Sequence, residues 1–205
     1  TVMLYFVCYT VVFTLLEAWV RPVHLIHCRL DDLMPFCRWA VIPYVMWFGW
    51  VPAVLFVLLR RSADGFWRVF EGLAAGTSLT LVIYAVFPTG LARRHPVYGS
   101  DLFSWMIRMI YRSDTATNVC PSLHVFVTVL LLLALCDAAW LSPTKRRLNE
   151  LLAVAICAST VLIDQHSLID VACGVVLGLW VYAAFCRVPV LAAQKRRLYP
   201  EQERT

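Results

Sequence analysis

Apolar runs recur from one end of this chain to the other, each close to the roughly 20 residues a helix needs to cross a bilayer. They cover Val2–Val20, Trp39–Leu59, Val69–Phe87, Ser122–Leu141, Leu148–Ile163 and Leu168–Cys186. The fifth is short and borrows Asn149 and Asp164 at its ends, and Pro43 and Pro52 are kink points in the second, which neighbouring helices can accommodate. Composition agrees: 61% of the 205 residues are hydrophobic and 15% are charged, against about 45–50% and about 25% in a soluble domain. The expectation is an all-α integral membrane protein, a six-transmembrane-helix bundle forming a single domain over residues 1–205. The chain opens at Thr1 inside an apolar run, so its initiator is expected upstream.

The charges orient such a bundle. Arg60, Arg61 and Arg68 fall in the second loop, Lys145, Arg146 and Arg147 in the fourth, and Arg187, Lys195, Arg196, Arg197 and Arg204 in the tail. The longer first and third loops hold only Arg21, Arg29, Arg38, Arg93, Arg94, Arg108 and Arg112. The excess of Lys and Arg on cytoplasmic loops puts both termini in the cytoplasm and the third loop outside. The net charge of +5 belongs to loops, so anionic lipid headgroups explain it better than nucleic acid does.

The third loop, Pro88–Pro121, is the longest. Within it Leu102–Tyr111 is apolar with basic punctuation, and reads equally as an interfacial helix in the headgroup plane or as a loop packed on the bundle. The last run contains Gly174-Val175-Val176-Leu177-Gly178, a spacing that lets helices approach closely. The partner is either a second copy of the chain, in a homodimer, or a helix of the same bundle, the simpler reading. The eight cysteines show no zinc spacing; those in apolar runs read as small hydrophobes. Cys28 and Cys37 share one loop that would allow a bridge on an oxidising face.

Two segments carry chemistry: Cys120-Pro121-Ser122-Leu123-His124, and Ser159 to Asp170. Each lies where an apolar run meets polar sequence, and ionisable groups in a membrane are costly and usually functional. Ser122 is a good N-cap, which puts His124 in the first turn of a helix, where free N–H groups and the dipole favour an anion. His166 and Asp170 are four apart and share a helix face. The carboxylate can hold one ring nitrogen and leave the other free to attack phosphorus. His124 then supplies acid–base catalysis, and arginines neutralise phosphate oxygens. Arg93 and Arg94 are best placed, followed by Arg108 and Arg112. Asp114 reads as a turn or cap residue. His24, His27 and His95 read as loop histidines, and His24-x-x-His27 lacks a third metal ligand. Asp164 either caps the fifth helix or holds His124.

Pro121-Ser122-Leu123-His124 resembles the second signature, Pro-Ser-Gly-His, of the type 2 phosphatidic acid phosphatase and haloperoxidase superfamily. Ser159 to Asp170 is similar to its third, Ser-Arg-x5-His-x3-Asp, with Ser159, His166 and Asp170 in register. The resemblance covers roughly residues 87–178. Thr160 stands in place of the family's arginine and Leu123 in place of its glycine. The first signature, Lys-x6-Arg-Pro, is absent, and Phe87-Pro88-Thr89 with Arg93-Arg94-His95-Pro96 is a partial echo. The Pro-Ser-Leu-His form, with Asp114 and Asn118 before it, looks more like the inositol-phosphoceramide and sphingomyelin synthase branch.

The resemblance implies His166 as nucleophile, Asp170 as its orienting partner and His124 as acid/base. It also implies Ser122 with its neighbouring amides, and Ser159, as phosphate ligands. The expected activity is that of a lipid phosphate phosphatase working through a phosphohistidine on the extracytoplasmic face of a bacterial plasma membrane, with no metal or cofactor in the scheme. The alternative is a lipid headgroup phosphotransferase using the same residues. The rival from another class is a non-catalytic membrane scaffold.

Overall fold

The computed structural model describes residues 2–188. Among them are seven α-helices: α1 (Val2–Trp19), α2 (Val41–Arg61), α3 (Ala63–Val86), α4 (Leu102–Ser113), α5 (Leu123–Cys136), α6 (Pro143–Leu162) and α7 (Leu168–Val181). The last runs on as a wider π turn over Tyr182–Arg187. Two short strands, β1 (His24–Ile26) and β2 (Thr89–Leu91), pair in parallel with His24 opposite Thr89. The expected all-α class holds. The tail residues Lys195, Arg196, Arg197 and Arg204 lie outside the described residues.

All six apolar runs are helical, and four of the helices are long and apolar enough to cross a membrane: Val2–Trp19, Arg38–Arg61, Ala63–Val86 and Leu168–Arg187. The other two differ from the expected spans for local reasons. The central helix α5 is apolar but stops at Cys136 rather than Leu141. Its 14 residues reach about 21 Å at 1.5 Å each, short of a hydrocarbon core of about 30 Å. α6 starts at Pro143, well before Leu148, because Ser142 caps it by accepting from Lys145 N–H at 3.5 Å and proline suits the first turn. Its opening turns therefore carry Lys145, Arg146, Arg147 and Glu150. α3 likewise begins at Ala63 because the Ser62 hydroxyl accepts from Gly65 N–H at 3.1 Å. In the third loop, α4 is a true helix, capped by Asp101.

The core lies between α2, α3, α5, α6 and α7. Phe126, Leu130, Leu131 and Ile156 are fully enclosed. α7 reaches α5 closely because both glycines of its G-x-x-x-G face that helix. A Cβ at Gly174 would stand 2.7 Å from the Ser122 carbonyl oxygen, and one at Gly178 would stand 2.8 Å from the Val129 side chain. The small-residue spacing thus packs the bundle internally. By contrast α1 has no buried residue. Met3, Leu4, Val7, Val11 and Leu15 lie exposed along it, as suits a helix facing hydrocarbon. Two polar anchors hold it: the Tyr5 hydroxyl, which donates to the Ala74 carbonyl at 2.8 Å, and Glu17, which accepts from the Thr115 N–H and hydroxyl at 3.4 and 3.1 Å and from the Thr117 hydroxyl at 3.0 Å.

The ends of the bundle differ in kind. Arg60, Arg61 and Lys145 surround one hollow at the end where α2 stops and α6 starts, and Arg68 and Arg187 line its neighbour. The strands, α4 and both chemistry-bearing segments gather at the opposite end. There Thr89 is a buried hub. Its carbonyl accepts from Asn118 N–H at 2.7 Å, and its hydroxyl accepts from Val119 and Cys120 N–H at 3.1 and 3.0 Å. Cys28 and Cys37 are both free thiols, so the bridge that their shared loop allows is not formed.

Candidate active site

The segment ending in His124 is held from three sides. Beyond the Thr89 contacts, the Tyr84 hydroxyl donates to the Pro121 carbonyl at 2.8 Å. The Ser122 N–H donates to the Asp170 carbonyl at 3.1 Å. Ser122 is fully buried and its hydroxyl caps α5, accepting from Val125 N–H at 3.4 Å. His124 follows in the first turn, facing an aromatic wall. Its ring centroid is 4.6 Å from that of Tyr44, 4.5 Å from Trp47 and 6.0 Å from Phe48.

His166 arrives on the turn between α6 and α7. Thr160 builds that turn with its carbonyl, which accepts from Gln165 and His166 N–H at 2.9 and 3.0 Å. The rings of His166 and His124 converge, with centroids 6.0 Å apart at an angle of 60°. Asp170 is completely buried behind His166.

The expected hydrogen bond between His166 and Asp170 is replaced by a looser pairing. Nδ1 and Oδ2 are 3.5 Å apart, beyond ordinary hydrogen-bond range. The reason is a second job. Asp170 occupies the third position of a capping box, and Oδ2 accepts from Ser167 N–H at 2.9 Å, which draws the carboxylate toward the start of α7. Asp31 secures the same helix start. It accepts from the Ser167 hydroxyl at 2.7 Å and from Leu168 N–H at 2.9 Å. Partial burial opposes ionisation of Asp31, but the bonds from Leu168, Cys28 and Ser167 outweigh it and hold its carboxyl below the usual range.

Buried polar atoms without partners concentrate here. Among the described residues eight such side-chain atoms occur, and the Arg146 Nε is the outlier in place. The others are His124 Nε2, His166 Nδ1, Asp170 Oδ1, Trp47 Nε1, Gln165 Nε2 and both amide atoms of Asn118. Native proteins leave few such groups, and each one calls for an explanation. For His166 Nδ1 it is the loose pairing with Asp170, 3.5 Å away.

The remaining candidates separate. Arg94 is half-buried and organises loops. Its Nε donates to the Asp164 carbonyl at 3.2 Å, and its Nη2 to the Asp114 and Thr115 carbonyls at 3.0 Å each and to Gln165 Oε1. Its guanidinium also lies 4.5 Å over the Tyr111 ring. Burial lowers its pKa, while Asp114, Tyr111, Tyr44 and Glu17 act in the opposite sense. Arg93 is exposed and lines the cleft in front of His166. Ser159 is buried with its hydroxyl turned back onto the Ile156 carbonyl at 2.6 Å, within its own helix. Arg108 donates to the Gly99 carbonyl at 2.7 Å and staples the third loop.

Several residues of this end carry no signal in the sequence. Tyr44, Trp47 and Phe48 form an aromatic stripe that reads as core. Asp164 ends the fifth helical run, as one of its two readings expected: it is the left-handed residue just past α6, with φ of +52° and its N–H on the Val161 carbonyl at 3.0 Å. It does not hold His124, since its carboxylate accepts from His95, from Nδ1 at 2.6 Å and from N–H at 2.9 Å. Asp114 ends α4 as a cap residue should, and its carboxylate also accepts from the Tyr44 hydroxyl at 2.7 Å. His24 stacks on Phe87 with centroids 4.0 Å apart, and His27 pairs with Asp32 at 3.1 Å. Among the described residues no group of three His, Cys, Asp or Glu is arranged to hold a metal ion.

No protein-family model, curated protein or solved structure matches this chain.

Proposed function

We propose that this chain is an integral-membrane enzyme that cleaves phosphate esters of lipids through a phosphohistidine on His166. The observation that carries the reading is the meeting of the His124 and His166 rings at 6.0 Å, with the buried Asp170 carboxylate 3.5 Å behind Nδ1 of His166. In this reading the Nε2 lone pair of His166 attacks phosphorus. Asp170 stabilises the positive charge that grows on the ring, and the ester bond breaks as His124 gives its proton to the leaving oxygen. Water then attacks the phosphohistidine, and the nitrogen–phosphorus electron pair returns to His166.

The membrane frame belongs to the same proposal. Six helices cross the bilayer, with α5 and α6 shorter or more polar than the rest because a recessed polar site takes up part of the thickness. Both termini are cytoplasmic and the histidines face outward. The gathering of Arg60, Arg61, Arg68, Lys145 and Arg187 at the end opposite the histidines supports that orientation.

One observation favours a second reading, transfer of a phosphodiester headgroup to another lipid. Arg94 is committed to carbonyl groups and Thr160 is no cation, which leaves Arg93 as the exposed arginine of the cleft. A phosphodiester carries one negative charge and suits that modest complement better than a monoester dianion.

The test is to offer the purified protein dioctanoyl phosphatidic acid in dodecylmaltoside micelles, and separately a phosphatidylinositol with a diacylglycerol or ceramide acceptor. Release of inorganic phosphate supports the phosphatase, and a new phosphodiester lipid supports the transferase. Loss of either activity in His166→Ala is expected. Turnover that survives that replacement would overturn the phosphohistidine.

A further inference from the structure

A second histidine–aspartate pair opens onto the cavity of His166. His95 and Asp164 line the same space of about 80 Å³ as His166, Ser167, Arg93 and Asp31, so the two imidazoles face one small volume. The pair is better made than His166 with Asp170. Asp164 Oδ2 sits 2.6 Å from His95 Nδ1 and also accepts the His95 backbone N–H at 2.9 Å. The aspartate is itself fixed. It adopts φ of +52°, a left-handed conformation unusual outside glycine, and its carbonyl accepts from the buried side of Arg94 at 3.2 Å.

The tautomer follows from the neighbours. Arg93 Nη2 lies 3.0 Å from His95 Nε2, and arginine can only donate. Nε2 therefore accepts, Nδ1 carries the proton, and that proton is given to Asp164. A neutral imidazole with its back nitrogen held by a carboxylate and its front nitrogen basic is the arrangement of a general base. Arg93 is exposed, and its other nitrogen, Nη1, lies 3.6 Å from Asp32 Oδ1, a second partner for which a phosphate must compete. When it swings to a phosphate oxygen it uncovers Nε2.

The geometry points to His95 with Asp164 as the base that activates the acceptor, a task separate from those of His166 and His124. The inference rests on the phosphohistidine reading of the site. In the second half-reaction a water in the cavity gives one proton to His95 Nε2 as its oxygen bonds to phosphorus. The nitrogen–phosphorus bond breaks, its electron pair returns to His166, and inorganic phosphate leaves. His95, now imidazolium with Nδ1–H still on Asp164, releases its proton to solvent at the cleft mouth. A lipid hydroxyl would be activated in the same way, giving a phosphomonoester from this phosphohistidine, or a phosphodiester where the phosphorus on His166 still carries an esterified headgroup.

The experiment separates the two half-reactions. Wild type, His95→Gln and Asp164→Asn are mixed with dioctanoyl phosphatidic acid labelled in its phosphate, quenched at successive times, and assayed for acid-labile, alkali-stable phosphoprotein and for inorganic phosphate. Asn keeps the left-handed backbone that Asp164 adopts, so the second variant guards against a simple folding defect. Both variants should form the phosphoprotein at the wild-type rate and lose it roughly 10²- to 10⁴-fold more slowly, the range for a missing base. In His95→Ala, added imidazole should restore its decay. His27→Gln, a change in the same cavity, should decay like wild type. Equal slowing of formation and decay, or no change in decay, overturns the role of His95 while leaving the nucleophile in place. A wild-type protein that forms no phosphoprotein and turns nothing over overturns the underlying reading, and this inference with it.

Discussion

Gly174 of α7 lies against the carbonyl of Ser122, so close that a Cβ would stand 2.7 Å from that oxygen. The same two segments are joined a turn away by the bond from Ser122 N–H to the Asp170 carbonyl at 3.1 Å. The helices that carry His124 and Asp170 therefore meet through a glycine outside both motifs. Gly174→Ala should force α5 and α7 apart at their histidine ends, at a cost of about 1–3 kcal/mol for overpacking. A shift approaching 1 Å is expected to cost roughly 10²-fold in turnover. Thermal unfolding in detergent together with kcat checks both, and an unchanged kcat would sink the link.

Asp170→Asn isolates the charge behind His166. Asparagine still offers an oxygen to the Ser167 N–H, so the capping box and the start of α7 should survive, with unfolding temperature little changed. Turnover should fall by about 10⁴-fold, the cost of replacing the aspartate of a serine-protease triad by asparagine. A loss of ten-fold or less would show that the loose 3.5 Å pairing is structural.

His124→Ala should cost about 10²- to 10⁴-fold on an ordinary lipid phosphate. The loss should shrink with a nitrophenyl ester, whose leaving group departs without a proton. An equal loss on both substrates would move His124 from leaving-group acid to a packing role beside Tyr44 and Trp47.

The two arginines should behave differently. Arg93→Ala should raise KM for an anionic substrate with little change in unfolding temperature, because the side chain is exposed. Arg94→Ala strips donors from the carbonyls of Asp114, Thr115 and Asp164. At about 1–3 kcal/mol for a buried group left unpaired, it should lower the unfolding temperature and kcat together. Arg94→Lys should not restore them, since a single ammonium cannot span those carbonyls.

Asp31 ties the first loop to the start of α7 and makes that joint acid-sensitive. Its carboxyl is held below the usual range in the folded protein. The sign follows from linkage: the stabilisation is complete above the ordinary aspartate pKa of about 3.9 and fades as pH falls through the lowered folded value. Asp31→Asn should therefore be less stable than wild type at neutral pH, and the gap should close below about pH 4. Unfolding followed across that range decides it.

The sequence alone determined the class of molecule and the two motifs. Runs such as Val2–Val20 and Leu168–Cys186 read as membrane spans, and both are helices long and apolar enough to cross a bilayer. The spacing of His166 and Asp170 is legible because a helix puts i and i+4 on one face, and a serine after proline before His124 is legible as a cap. Tertiary structure decided the rest. Whether Gly174 meets another copy or the same bundle depends on which helix lies across from it. Arg94 became a loop staple because carbonyls from residues 20 and 70 positions away converge on it, and sequence spacing carries no trace of that. His95 found Asp164 in the same way, across 69 positions. Local chemistry is written in neighbouring residues, whereas partners brought together by packing are fixed only when the helices are in place.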